Sequence, residues 1–206
     1  MLIHALPYIL LGYLAGSVLF ARGVGRLLGK DGYLDQSPDS NPGTANAFMY
    51  GGMACGLITL MGDLAKGLLP VACYMQAMTS QPMEVWPLAL VLAAPVAGHA
   101  FSIFHHFTGG KGIATSFGCL LGIAPIWTPA LTLAAAFILL STVIRVYPNR
   151  TRTALAYLLA LALLACTGCD RGIVYGFALM TMFVHVRLIF SREERTKASV
   201  KLLWMH

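Results

Sequence analysis

"ANAFMYGGMACGLITLMGDLAKGLLPVACYMQAM", Ala45 to Met78, runs for 34 residues with two charges, Asp63 and Lys66. As one straight helix it would be about 51 Å long, well beyond the ~30 Å of hydrocarbon in a bilayer. The stretch is therefore expected to hold an interfacial or tilted first segment that leads into a true span, with "GDLAKG" (Gly62–Gly67) as the break. The rest of the chain has the same character. Of 206 residues, 58% are hydrophobic and 11% charged, and mean hydropathy is +0.73. Soluble domains carry about 25% charged residues, so that class is excluded. The sequence implies an all-α polytopic membrane helical bundle. Residues 1–206 read as a single integral membrane domain, because no polar stretch is long enough to bury a core of its own. The first apolar run has no convincing cleavage site and is read as a retained helix.

Working outward, a first helix is expected at Ala5–Ala21, followed by a polar loop through Ser40. Beyond Met78 come spans at Pro87–His105, Ile113–Ile123 (short), Pro129–Val146, Ala154–Cys166 and Ile173–Phe190, about seven in all. Basic residues cluster at Arg22, Arg26 and Lys30, at Arg145, Arg150 and Arg152, and at Arg187, Arg192, Arg195, Lys197 and Lys201. Basic loops stay in the cytoplasm. Seven spans with a cytoplasmic C-terminus and an outside N-terminus put all three clusters there. Topology thus accounts for most of the net charge of +6 without an anionic partner, and nothing points to nucleic acid. No long internal repeat is visible, which argues against an inverted-repeat transporter. Cys55, Cys73 and Cys119 lie in apolar runs as small core residues. Cys166 and Cys169 form a single CxxC, too little for structural zinc, and read as inert thiols or, on an outward face, a disulfide.

Two loops interrupt this apolar chain with chemistry. In "SNPGTANAF" (Ser40–Phe48), Gly43 lets backbone approach a ligand. Thr44 is placed to cap the following helix, whose free N–H groups favour an anion. Asn41 and Asn46 flank the turn. In "FTGGKGIATSFG" (Phe107–Gly118), Gly109, Gly110 and Gly112 surround Lys111 at a helix start, a cradle for phosphate; the spacing is not that of a Walker A loop. Each loop also has a plain structural reading, as a capped turn or as an interfacial loop with a snorkelling lysine. The topology puts both on one membrane face. Asp63 and Lys66 stand three residues apart inside an apolar run, either as an internal ion pair or as added positive charge at a site. His99, His105 and His106 lack a nearby Cys, Asp or Glu to complete a metal set, so no metal is assigned. His99 and His185 read as hydrogen-bonding residues between helices or as walls of a site. Ser17, alone on the first helix, reads as back-bonded to its own turn.

These pieces in this order resemble the bacterial membrane acyl-phosphate:glycerol-3-phosphate acyltransferase family, PlsY. "GYLAGSVLF" (Gly12–Phe20) is similar to the first-helix motif with its serine. "NPGTANAF" resembles the phosphate loop, "GDLAKGLLPV" the Asp-x-x-Lys-Gly-x-x-Pro segment, and "AGHAFSIFHHFTGGKGIATSFG" (Ala97–Gly118) is the most specific match. The chain departs from the family at Asp35 (arginine there), at Pro38, Asp39 and Ser40 (Gly-Ser-Gly), at Pro148 (serine) and at Leu188 (asparagine), while His185 matches.

The resemblance implies a seven-span enzyme of the bacterial inner or plasma membrane with its site at the cytoplasmic face. It would move a fatty acyl group from acyl phosphate to the 1-hydroxyl of glycerol 3-phosphate, giving lysophosphatidic acid, the first step of phospholipid synthesis. It implies no cofactor, and a functional link to a cytosolic enzyme that forms acyl phosphate. Lys111, Ser17 and His185 are the implied catalytic residues. Asn41, Gly43, Thr44, Asn46, Lys66, His99, Gly109, Gly110 and Arg145 are the implied substrate-binding residues. Because acyl phosphate is already activated, the chemistry asks mainly for positioned donors near two phosphates. Two other functions fit the residues: acylation of another polar acceptor, motivated by Asp35, and a non-catalytic membrane protein or small-solute transporter.

Overall fold

The long apolar run folds, in the computed structural model of this chain, as α3 (Thr44–Ala77), and its break falls at Gly52 rather than at Gly62–Gly67. Gly52 has φ 82° and ψ 177°, a conformation open to glycine and closed to residues with a Cβ. At this kink the Lys30 ammonium donates to the Gly51 carbonyl. Residues 62–67 stay helical because Asp63 and Lys66 meet on one face as an i,i+3 ion pair. The structure describes residues 2–79, 82–191, 193 and 198–202. Arg192, Arg195 and Lys197 of the third basic cluster lie outside the described residues.

The expected first helix is instead two: α1 (Leu2–Gly16) and α2 (Phe20–Leu27), bent by 45° across Ser17–Leu19. The bend frees the Val18 carbonyl, which accepts from Lys66. Next come α4 (Val85–Ala100), α5 (Ile113–Leu121), α6 (Thr128–Ile138, continued by a wide π turn to Val143), α7 (Asn149–Cys166) and α8 (Arg171–Ile189). The start of α7 lies five residues before the expected Ala154, with Pro148 at the cap position in extended backbone. The Asp170 carboxylate caps α8, accepting from the Gly172 and Ile173 amides at 2.8 and 3.3 Å. Two short strands, β1 (Val146–Tyr147) and β2 (Ser199–Val200), pair antiparallel with Val146 opposite Val200. They tie the chain after α8 to the α6–α7 connection.

Among the described residues three helices, α3, α4 with the turn after it, and α8, are long and apolar enough to cross a membrane, or four if the bent α1–α2 pair counts as one span. This puts the chain in a membrane. The nine residues of α5 reach only about 14 Å at 1.5 Å per residue.

In the bundle, α4 is the central helix: 72% of its apolar window is buried, against 44% for α3 and α8. It packs on α1 and α8, and α3 packs on α5. Glycines set both crossings. A Cβ added at Gly98 lands on the Tyr13 carbonyl, and one at Gly16 on the Pro95 carbonyl. Across α3 and α5, a Cβ at Gly67 lands on Thr115 O and one at Gly118 on Leu64 O. Small residues that let backbones touch are the usual membrane solution, since lipid offers no hydrophobic drive between helices. Gly98→Val must therefore push α1 off α4 and lower thermal stability, by about 1–3 kcal/mol or more. Gly23→Ala, where nothing lies within 4 Å of the added carbon, should instead hold or raise stability by up to ~1 kcal/mol. Melting curves of the two variants in one detergent test the contrast.

Candidate active site

The loop before α3 is pinned by Asn46. Its side-chain amide faces Asp39 Oδ1 at 2.8 Å, Ser37 Oγ at 3.0 Å and the Asn41 carbonyl at 3.0 Å. The Asn41 amide donates to Asp39 Oδ1 at 3.2 Å. Gly43, not Thr44, is the N-cap of α3, with φ −118° and ψ 164°. Its extended backbone turns the chain into the helix, which leaves the Thr44 hydroxyl free to donate to Asp63 Oδ2 at 3.3 Å. No side chain caps the start of α3, and its first residues, Thr44 to Asn46, are in the lining of the cavity described below.

The glycine-rich loop is folded down on the end of α4. The Gly110 amide donates to the His99 carbonyl at 3.0 Å, and Arg187 Nε donates to the Gly109 carbonyl at 2.8 Å. A Cβ at Gly109 would land on His99 O, and one at Gly110 on His99 Nε2. Gly112, at φ 76°, is the left-handed N-cap of α5. The loop holds out Lys111, whose ammonium lies 3.0 Å from Asp39 Oδ2 and 2.6 Å from Glu193 Oε2. Glu193 is itself fixed by the Arg150 amide, 3.0 Å from Oε1. Burial pushes the Asp39 carboxyl up, but the Asn46 hydrogen bond and the Lys111 charge outweigh it and hold it below its ordinary value of 3.8. Asp39 is therefore ionised at neutral pH, and the Lys111 pair persists there.

Between the two loops lies a cavity of about 570 Å³. Asn41, Gly43, Thr44, Asn46, His99 and Lys111 are in its lining, together with the apolar side chains of Phe48, Leu60, Phe117 and Phe137. Six of the twelve residues expected from the sequence thus converge on one space. Lys66 sits behind it, 5% exposed, bonded to Val18 O at 2.6 Å and His99 Nδ1 at 2.7 Å. Asp63 Oδ1 lies 2.8 Å from the same ammonium, as an ion pair outside hydrogen-bond geometry. Gly109 and Gly110 support the floor rather than line it. Ser17 is fully buried at the α1–α2 bend, its hydroxyl donating to Tyr13 O at 2.9 Å, and it stands outside the cavity lining. His185 bonds the Thr181 carbonyl through Nδ1 at 2.7 Å and leaves Nε2 buried without a partner among the described residues. Arg145 is exposed and its backbone carbonyl accepts from Lys201.

The cavity also holds residues that the sequence did not single out as site residues: Asp39, Asp63, Arg152 and Glu193. From sequence, Arg152 is a topology charge, and Asp63 pairs with Lys66 either as an internal ion pair or beside a site. Asp35, read as a carboxylate at the site, is exposed on the 3₁₀ turn Tyr33–Gln36 and does not line the cavity. The carboxylate that faces the cavity from this segment is Asp39.

Comparison with known proteins bears on this arrangement. The sequence profile of the family described as glycerol-3-phosphate acyltransferase matches residues 6–197. The chain is 41% identical over 117 residues to the glycerol-3-phosphate acyltransferase of Albidiferax ferrireducens, covering 57% of this chain and 52% of the relative. With that of Trichlorobacter lovleyi it is 39% identical over 133 residues, covering 65% and 64%. With that of Thioalkalivibrio sulfidiphilus it is 45% identical over 111 residues, covering 54% and 52%. The match thus spans between about half and two thirds of these relatives' length. In fold the chain is similar to crystal structures of PlsY, an integral membrane glycerol 3-phosphate acyltransferase. For the glycerol 3-phosphate form the TM-score is 0.74 at 24% identity, covering 94% of this chain and 96% of the other. For the lysophosphatidic acid form it is 0.73 at 24% identity, covering 89% and 87%. On the match across residues 6–197, this chain belongs to the glycerol-3-phosphate acyltransferase family.

Proposed function

We propose that this chain transfers a fatty acyl group from acyl phosphate to the 1-hydroxyl of glycerol 3-phosphate, giving lysophosphatidic acid. The observation that carries the reading is the mixed lining of one cavity: Lys111 and the uncapped start of α3 together with Phe48, Leu60, Phe117 and Phe137. A phosphate suits the first set and an acyl chain the second. Acyl phosphate carries its own leaving group, so the transfer forms a C–O ester bond as the C–O bond to phosphate breaks, and the hydroxyl proton leaves with inorganic phosphate or water. The protein's part is to hold the reactants together and to place positive groups on the developing charge. A second reading, acylation of another polar acceptor, is favoured by the carboxylates Asp39 and Glu193 around Lys111. Purified protein incubated with acyl phosphate, glycerol 3-phosphate and a panel of hydroxyl and amine acceptors separates the two. Lysophosphatidic acid as the main product supports the first; turnover confined to other acceptors supports the second.

Lys111→Ala should lower turnover by ~10²-fold or more, the usual effect of losing one donor to developing charge. The variant also leaves Asp39 and Glu193 without their cation, so its melting temperature is measured beside its rate. A folded variant with near-normal turnover removes Lys111 from the site.

Gly43→Ala separates binding from folding. With φ at −118° the backbone accepts alanine without strain, but the new carbon would lie 2.7 Å from Asn41 Nδ2 and displace that side chain from the cavity. The expected result is a raised acceptor KM with saturated turnover and melting temperature nearly unchanged. A drop in melting temperature with KM intact would make the loop a structural turn only.

The proposal includes seven spans, an outside N-terminus and a cytoplasmic site, supported by the placement of the basic clusters. Single cysteines placed at Leu2 and Lys201 in a cysteine-free chain should label from opposite sides of the membrane. Labelling of both from one side would overturn the topology.

A further inference from the structure

The buried trio behind the cavity has a chemistry of its own. A lysine ammonium has three protons and no lone pair, so every nitrogen or oxygen bonded to it must accept. The atoms around Lys66 Nζ are Val18 O at 2.6 Å, His99 Nδ1 at 2.7 Å and Asp63 Oδ1 at 2.8 Å. His99 Nδ1 is therefore the acceptor nitrogen. A neutral imidazole with Nδ1 accepting carries its proton on Nε2. That edge of the ring faces Gly110, where any side chain would land on Nε2. The ring lines the cavity beside Lys111, and Nε2 has no hydrogen-bond partner among the described residues. An N–H donor with no acceptor thus stands in the same lining as Lys111.

We propose that His99 donates a hydrogen bond from Nε2 to a phosphate oxygen of the substrate, and that Lys66 is the positioning residue that fixes this tautomer. The inference rests on reading the cavity as a phosphate site. Lys66 is 5% exposed and committed to three partners, so it acts on substrate only through the ring. Asp63 keeps the ammonium compensated in the bundle interior, where an unpaired charge is costly. Its second oxygen takes the Thr44 hydroxyl at 3.3 Å. One buried ion pair therefore holds both the His99 ring and the Thr44 hydroxyl.

The test uses the full chain, labelled with ¹⁵N-histidine, in detergent micelles. Multiple-bond proton–nitrogen spectra report the tautomer, and the His99 signals are those lost in His99→Gln. The expected result is a neutral ring protonated at Nε2, with the Nε2–H resonance moving on addition of inorganic phosphate. In Lys66→Met the ring should lose its single tautomer. Because that change leaves the Asp63 carboxylate unpaired, the double variant Lys66→Met/Asp63→Leu is measured as well. In acceptor kinetics, His99→Ala and His99→Asn should raise KM by ~10-fold or more, the scale of a hydrogen bond to a charged group. His99→Gln, whose amide nitrogen reaches the position of Nε2, should restore most of that loss. A wild-type ring protonated at Nδ1, a folded double variant with the tautomer unchanged, or equal KM for the Gln and Asn variants would each overturn the proposal. If acyl transfer is absent while phosphate still moves the Nε2–H signal, the proposed function fails and this inference stands. If transfer proceeds and His99→Ala keeps the wild-type KM, the inference alone fails.

Discussion

One ammonium group inside the bundle constrains much of the rest. Lys66 on α3 draws a carbonyl from the α1–α2 bend, a ring nitrogen from α4 and a carboxylate from its own helix. A charge at this depth is tolerated only when its partners arrive together. The bend at Ser17–Leu19 supplies a carbonyl that an unbroken helix would have spent on itself. The Gly16–Gly98 crossing seats α1 on α4, and α3 packs against both, so that a single side chain spans them. Bend, crossing and ion pair are thus one arrangement seen at three scales.

The glycines of the 109–112 loop show why structural and ligand-binding readings are poor opposites. Gly109 and Gly110 are needed because His99 lies beneath them, with its carbonyl and ring in the space a Cβ would fill. That packing is structural. Yet it is also what holds Lys111 at the cavity and sets the backbone of Gly110 against the Nε2 edge of His99. Likewise Asn46 spends its amide on holding the loop, and by doing so fixes Asp39 against Lys111.

Much of this was legible in the sequence. Composition pointed to the membrane class, hydropathy to seven helical segments, of which the first is two helices in the structure, and the two polar loops do meet at one cavity. The failures have local causes. Gly52 was passed over because two adjacent glycines in an apolar run look like packing residues, and only the backbone angles single out the kink. Thr44 looks like a cap because its residue type favours one; the carboxylate of Asp63, 19 residues further on and beyond the kink at Gly52, takes its hydroxyl instead. Glu193 was invisible because its contact with Lys111 spans 82 residues, and no periodicity encodes a pairing made by tertiary closure. Arg152 was hidden by its company, since a basic residue in a basic loop already has a topological explanation.

Lys111 is flanked by Asp39 and Glu193. On the function proposed above, such a site would work by ion exchange. An arriving phosphate would not meet a bare cation; it would trade places with tethered carboxylates that remain close by. The affinity for any anion would then be a difference between two well-paired states. Departure would be helped for the same reason, since the carboxylates would reclaim the lysine as the product left. An exchanger of this kind favours turnover over tight holding.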